Sequence, residues 1–148
     1  GSARIYWQDD RVPSVGVRPL VVYGPGRDRG MTASPTEAMF AAARGEPFTI
    51  PFGGRMQFQY ASDVACAFID AARRPPTGAE VLNIGGPVVS MSEIVAAIKA
   101  AAPDASVAFD DVRLPFLEQL PEPLIQTPMT PLMEGVEQTL EIFRRAPA

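Results

Sequence analysis

The most informative segment of the chain is RPLVVYGPGR, residues 18–27. Its apolar run has no polar alternation, which is typical of a strand that is covered on both faces in a parallel sheet. The glycines and proline at positions 24–26 then end the strand abruptly. Because open α/β sheets bind ligands at the carboxyl ends of their strands, this turn predicts a ligand site. The segment therefore indicates an α/β protein built around a strand from Val15 to Tyr23.

Helical and extended patterns alternate along the rest of the chain. They predict helices over residues 3–10, 34–44, 62–73, 90–102 and 131–145, and further strands over 48–52, 55–60, 80–84 and 106–110. Helix starts are predicted at Ser34, at Ser62-Asp63 and at Ser90, which is followed by Glu93 as in a capping box. The proline-spaced residues 115–131 are predicted to be irregular. The inward face of the third helix is predicted to comprise Val64, Ala65, Phe68, Ile69 and Ala72.

Composition narrows the class of protein. The 148 residues are 47% hydrophobic and 20% charged, which suits a single globular domain. A net charge of −4 without a basic cluster argues against nucleic acid as a partner, and no apolar run is long enough to span a membrane. The chain has no histidine and a single cysteine, so a metal site is not expected and Cys66 is predicted to be a buried structural thiol.

Three segments together resemble the extended short-chain dehydrogenase/reductases, the NAD-dependent epimerase/dehydratase family. Residues 18–27 resemble its Arg-Pro-x-x-Val-Tyr-Gly-Pro-Gly-Arg segment. FGGRMQFQYASDVA (52–65) resembles its strand-to-helix element that ends in Asp-Val-Ala, and VLNIGG (81–86) resembles its Asn-x-Gly strand end. The resemblance covers nearly the whole chain, and it implies a Rossmann-like fold.

Two motifs of that family are missing from the chain. The Gly-x-x-Gly-x-x-Gly turn does not occur, and neither does the Tyr-x-x-x-Lys catalytic pair, since Tyr6 is followed four positions later by Asp10. We therefore expect a C-terminal fragment, with residues 1–33 as a remnant of the nucleotide-binding domain and 34–148 as the substrate-binding domain. Strand 80–84 is a candidate to rejoin the Rossmann sheet. The parent would use NAD or NADP, and the fragment alone should be catalytically inert and should bind no dinucleotide.

The resemblance also assigns the candidate site residues. It implies no catalytic residue and no metal ligand within the chain, cofactor contacts from Pro19 and Val22, and substrate contacts from Val21, Tyr23, Arg27, Thr32 and Arg55.

Each of these residues has an alternative interpretation from the sequence. Arg27 could grip a phosphate or carboxylate, or it could be a solvated loop residue whose removal leaves stability nearly unchanged. Tyr23 could face the ligand or be buried and satisfied by backbone, and Val21 and Val22 could simply pack in the core. Thr32 could contact the substrate or belong to a plain helix entry.

Arg55 bears on the substrate class. Family members that act on nucleotide sugars carry an arginine one position later, where this chain has Met56. Because successive strand residues face opposite ways, Arg55 needs a bulge or shifted register to reach a phosphate. Asp63 matches a family aspartate but is predicted to be a helix cap, and Asn83 is predicted to form a turn.

The leading hypothesis is the substrate-binding part of a cytoplasmic NAD(P)-dependent sugar or sugar-nucleotide epimerase or dehydratase. The alternative is a non-catalytic relative that senses dinucleotides or binds a partner, since one fold hosts many functions. The resemblance also implies a homo-oligomer. Self-association of the isolated chain is expected separately, because an apolar strand that lacks covering elements exposes an edge and a patch.

Overall fold

The computed structural model describes residues 2–122, 124–125 and 128–145, and it confirms the α/β class. Its helices are α1 (Ser2–Asp10), α2 (Ser34–Arg44), α3 (Ala61–Arg73), α4 (Met91–Ala101) and α5 (Leu132–Arg145). Its strands are β1 (Ser14–Arg18), β2 (Val21–Tyr23), β3 (Phe48–Ile50), β4 (Arg55–Tyr60), β5 (Ala79–Ile84), β6 (Val88–Ser90), β7 (Val107–Phe109) and β8 (Leu124–Ile125). None of the helices in these ranges is long and apolar enough to cross a membrane.

The strands form three small sheets. The first has the order β1-β5-β8 and is parallel throughout. In the second, β2 runs parallel to β4, and β6 is antiparallel to β4. The third is the parallel pair β3-β7. The short strands β6 and β8 were not predicted.

The prediction of one strand from Val15 to Tyr23 is wrong. The strand breaks at Pro19-Leu20, so that β1 pairs with β5 and β2 pairs with β4. Pro19 has no N–H to give to a ladder. The next amide, of Leu20, donates instead to the side chain of Gln59, with N and Oε1 2.9 Å apart. The apolar run therefore contributes to two sheets rather than to one.

Gln59 links the first two sheets to each other. It lies on β4, and its side chain is fully buried. Its Nε2 donates to the carbonyl oxygens of Ile84 at 2.7 Å and Gly85 at 3.0 Å, at the end of β5. With Leu20 bonded to Oε1, the amide of Gln59 joins the β1–β2 connection to the carboxyl end of β5.

Two apolar clusters fill the interior. The larger one contains Met56, Phe58 and Tyr60 from one face of β4 together with buried residues of α2, α4 and α5. The smaller one lies between α3 and the first sheet and is formed by Val64, Ala67 and Ile84, with Val17 and Val22 packed against it. Val21 joins the larger cluster and Val22 the smaller one, because successive residues of β2 face opposite ways.

The helix starts agree only in part with the predicted caps. The Ser90–Glu93 capping box is present: the Ser90 hydroxyl accepts from the Glu93 amide and the Glu93 carboxylate accepts from the Ser90 amide. The predicted caps at Ser34 and Asp63 are wrong: the cap residues are Ala33 and Tyr60, and neither caps its helix through its side chain. The Asp63 carboxylate instead accepts from Thr130, which anchors the segment before α5.

The inward face of α3 was also assigned incorrectly. Val64 is buried, but Phe68 and Ile69 are about half exposed, and the buried stripe continues through Ala67 and Ala71. Cys66 is exposed, so the prediction of a buried thiol is wrong. Helix α3 carries two adjacent apolar stripes, and within the described residues only the narrower one, made of small residues, packs against the sheets.

Gly135 on α5 gives a direct test of the packing. A Cβ at this position would clash with the hydroxyl oxygen of the buried Tyr23. Gly135→Ala should therefore lower the free energy of unfolding by about 1–3 kcal/mol, since overpacking outweighs the gain in helix propensity of about 1 kcal/mol. Adding Tyr23→Phe removes the clashing oxygen and should restore part of the loss. Chemical denaturation of the single and double variants measures both effects, and a stabilised Gly135→Ala single variant would contradict this packing.

Candidate functional site

A small cleft lies at the start of β4, at the edge of the second sheet. Its volume is about 90 Å³, and its walls are Val21, residues 53–56, Arg113, Leu114 and residues 116–118. We call it the arginine cleft, because Arg55 and Arg113 both line it. Its volume is well below that of a typical small-molecule site, so it suits one group of a larger ligand.

Gly53 is the residue that brings the two arginines together. A Cβ on Gly53 would lie 2.8 Å from the carbonyl oxygen of Asp110, so only glycine allows this close approach. The Gly53 amide donates to the carbonyl oxygen of Val112 at 2.9 Å, and Gly53 forms a parallel bridge with Arg113. Arg113 was not predicted as a site residue, because it lies 58 positions beyond Arg55 and outside every motif.

The charge of the arginine cleft favours an anion. Both guanidinium groups are exposed, and Arg55 makes one long bond, 3.4 Å from Nη2 to the carbonyl oxygen of Val88. Glu118 is the carboxylate among the lining residues, so the charges sum to +1. Guanidinium groups bind phosphates and carboxylates through paired N–H donors.

Val21 and Val22 lie on opposite faces of β2. Val21 is buried in the larger core and lines the arginine cleft, whereas Val22 is half-buried and packs in the smaller cluster. Pro19 is half-buried at the strand break. The cofactor contacts from Pro19 and Val22 and the substrate contact from Val21 stay predictions.

The side chain of Tyr23 is buried in the larger core and does not line the arginine cleft. Its ring stacks on Phe58 with centroids 4.2 Å apart, and the side chain is fully buried. Its hydroxyl has no hydrogen-bond partner among the described residues, so the predicted satisfaction by backbone is wrong. Burial raises the pKa of the Tyr23 hydroxyl, with a smaller contribution from the charge of Asp63. Tyr23 is therefore neutral throughout the physiological range.

Arg27 and Thr32 lie together but away from the arginine cleft. Nη1 of Arg27 donates to the carbonyl oxygen of Arg29, and Nη2 donates to Oγ1 of Thr32 at 3.2 Å. Arg27 lines a second cleft, which contains neither Val21 nor Arg55. The alternative of a solvated arginine is wrong, because the half-buried guanidinium crosslinks its own loop.

Two side-chain amides hold the segment that follows the outer wall of the arginine cleft. Gln57 accepts from the amide of Leu120 at 2.8 Å, and Asn83 donates to the carbonyl oxygen of Pro121 at 2.7 Å. Gln57 and Gln59 alternate along β4 with the three apolar residues of the core face. That alternation of polar and apolar residues is visible in the sequence and could have identified the buried amides.

The chain is similar to several solved structures. No protein-family model matches the chain, and no curated protein does. Among solved structures, the chain is similar to MoeE5 in complex with UDP-glucuronic acid and NAD, with 30% identity over 88% of this chain and 47% of that one and a TM-score of 0.71. UDP-glucose 4-epimerase from Thermus thermophilus in complex with NAD matches at 22% identity over 97% of this chain and 50% of that one, with a TM-score of 0.74.

A third neighbour is UDP-N-acetylglucosamine 4-epimerase from Bacillus cereus, at 18% identity over 97% of this chain and 50% of that one, with a TM-score of 0.75. The two epimerases show the fold alone. The chain spans about half the length of these structures, and the half that it covers has the Rossmann-like α/β fold that the sequence predicted. The neighbours support the stated resemblance, since they include NAD complexes and enzymes of UDP-sugars.

The loop bonds of Arg27 predict a structural effect that the sequence did not. Arg27→Ala removes both donors from the loop that leads into α2, and it should lower the free energy of unfolding by about 1–2 kcal/mol. Arg29→Ala is the matched control. The side chain of Arg29 is exposed, and it is the backbone carbonyl of Arg29, which the substitution keeps, that accepts the bond from Arg27. Thermal and denaturant melts of both variants measure the difference. Equal stability of Arg27→Ala and wild type would show that the crosslink contributes nothing.

Proposed function

We propose that this chain is the substrate-binding part of an NAD(P)-dependent enzyme that acts on a sugar nucleotide, as an epimerase or dehydratase. The observation that carries the proposal is a cleft with two arginines in a fold that resembles half of a protein bound to UDP-glucuronic acid and NAD. The net positive charge of the cleft suits the diphosphate of such a substrate. Strand β4 pairs in regular register without the bulge that Arg55 would need, so the support for an anion site is that Arg113 lines the same cleft as Arg55.

In this proposal the site residues have distinct roles. Arg55 and Arg113 bind the diphosphate, and Val21 forms the apolar wall beside it. Tyr23 supports that wall from behind through its stack on Phe58. Arg27 and Thr32 fix the loop between β2 and α2 without touching the diphosphate.

The apolar pair Pro19 and Val22 suits the flat face of a nicotinamide. The cofactor, when bound, accepts a hydride from a carbinol carbon of the substrate. The 148 residues contain no Gly-x-x-Gly-x-x-Gly turn, so the chain offers no such cradle for the dinucleotide's pyrophosphate. The chain's own part is to bind and orient the substrate and to cover the nicotinamide with apolar side chains.

The homo-oligomer that the resemblance implies remains a proposal. The position of β1 at the edge of the first sheet bears only on the separate expectation that the isolated chain self-associates. Unpaired N–H and C=O groups on such an edge can pair with another strand.

Titration calorimetry with UDP-glucuronic acid and NAD tests the proposed function. We expect saturable binding of UDP-glucuronic acid. Arg55→Gln and Arg113→Gln should each weaken it roughly three- to tenfold, because each removes a charged but exposed contact. Arg73→Gln, on the exposed face of α3, is the matched control and should bind as wild type.

NAD should show no saturable binding to the isolated chain. A dissociation constant for NAD in the low micromolar range, roughly 8 kcal/mol of binding free energy, would place a complete dinucleotide site within these residues. Absence of UDP-glucuronic acid binding would overturn the proposed substrate class. Binding that neither arginine variant changes would overturn the assignment of the cleft.

A further inference from the structure

A second and larger cleft lies between α2, α5 and the loop after β2. Its volume is about 470 Å³, which is within the range of small-molecule sites. It is lined by Gly26, Arg27, Asp28, Thr36, Glu37, Phe40, Ala41, Glu46, Phe48 and Phe143, and it shares no residue with the arginine cleft. We call it the phenylalanine cleft. We propose that it binds a small hydrophobic organic cation, such as an arylalkylamine, independently of the proposed substrate site.

The apolar part of the phenylalanine cleft consists of three aromatic rings. Phe40 and Phe143 meet edge to face with centroids 5.3 Å apart, and Phe48 lies at the end of the turn that follows α2. Phe40 is 38% exposed, so part of its ring is open to solvent. These rings offer an apolar surface for the hydrocarbon part of a ligand.

The rim of this cleft is acidic. Asp28, Glu37 and Glu46 line it, and none of their carboxylates makes a hydrogen bond or an ion pair within the part of the chain that the structure describes. Arg27 is the opposing charge, but two of its nitrogens donate to its own loop and its Nε is buried. The charges of the lining residues therefore sum to −2, and the guanidinium of Arg27, the cation among those lining residues, is bonded to its own loop.

The aromatic surface already contacts one cation. The guanidinium carbon of Arg44 lies 4.3 Å from the centroid of the Phe40 ring. A cation over an aromatic face is attracted by the negative potential of the ring. Unpaired carboxylates and an aromatic surface together select a ligand with an apolar body and a positive head.

Three probes of nearly equal shape test the charge preference: phenethylamine, 2-phenylethanol and phenylacetate. Each is titrated into the chain and followed by the amide chemical shifts of residues 36–48. We expect weak, saturable binding of phenethylamine, roughly three- to tenfold weaker binding of 2-phenylethanol, and no binding of phenylacetate. About 0.5 M salt should remove most of the advantage of the amine, because the rim is exposed.

The double variant Glu37→Gln/Glu46→Gln should reduce phenethylamine affinity to that of 2-phenylethanol and leave the alcohol unchanged. Asp104→Asn is the matched control, since Asp104 is an exposed carboxylate that does not line the cleft. Equal binding of amine and alcohol to the wild type would overturn the proposal, as would preferred binding of phenylacetate. Absence of binding of all three probes would overturn it as well, and none of these outcomes bears on the UDP-glucuronic acid titration.

Discussion

The buried amide of Gln59 is the interaction on which the arrangement of the sheets depends. It accepts from Leu20 and donates to Ile84 and Gly85, so one side chain satisfies three backbone groups from two separate segments. Each such bond adds only about 1 kcal/mol, but a buried backbone group left unpaired costs about 1–3 kcal/mol. Removing the Gln59 amide would therefore cost more free energy than the loss of its own hydrogen bonds. The backbone amide of Leu20, at the strand break, would be left unpaired.

The break has consequences for the candidate site. Strand β2 pairs with β4, and its successive residues face opposite ways, so Val21 faces the larger core and the arginine cleft while Val22 faces the smaller cluster. Strand β4 then serves two purposes. One face carries the aromatic core, and the other carries Gln57 and Gln59, which hold the neighbouring sheet and the segment that follows the outer wall. The position of the proposed substrate site thus follows from polar residues inside the molecule as much as from apolar ones.

The sequence predicted most elements because their signals are local. The capping box at Ser90 and the left-handed Gly45 that ends α2 depend on residues within one turn of the helix. The strand break could not be predicted in this way, since Leu20 finds its partner 39 positions away. Arg113 could not be predicted for the same reason. It lies near Arg55 through the bridge between Gly53 and Arg113, which are far apart in the sequence.

Other predictions were wrong because the same sequence pattern is compatible with two different structural roles. The two apolar stripes of α3 predict burial equally well, and only the sheets determine which stripe packs. An arginine after a glycine turn has the same sequence signature whether it binds a ligand or its own loop, and Arg27 binds its loop. Asp63 has the signature of a helix cap, yet its partner is Thr130 near the far end of the chain. In each case the tertiary contact, absent from the local pattern, decides the role.

The most direct test of this account is amide hydrogen exchange at Leu20 in the wild type and in Gln59→Leu. Gln138→Leu, at an exposed position on α5, is the control. The account predicts a protected Leu20 amide in the wild type. In Gln59→Leu, protection at Leu20 should fall at least about tenfold more than at the β2 and β5 amides, with a loss of unfolding free energy of about 2–4 kcal/mol. Unchanged relative protection of Leu20, together with wild-type stability, would contradict the claim that Gln59 holds the two sheets together.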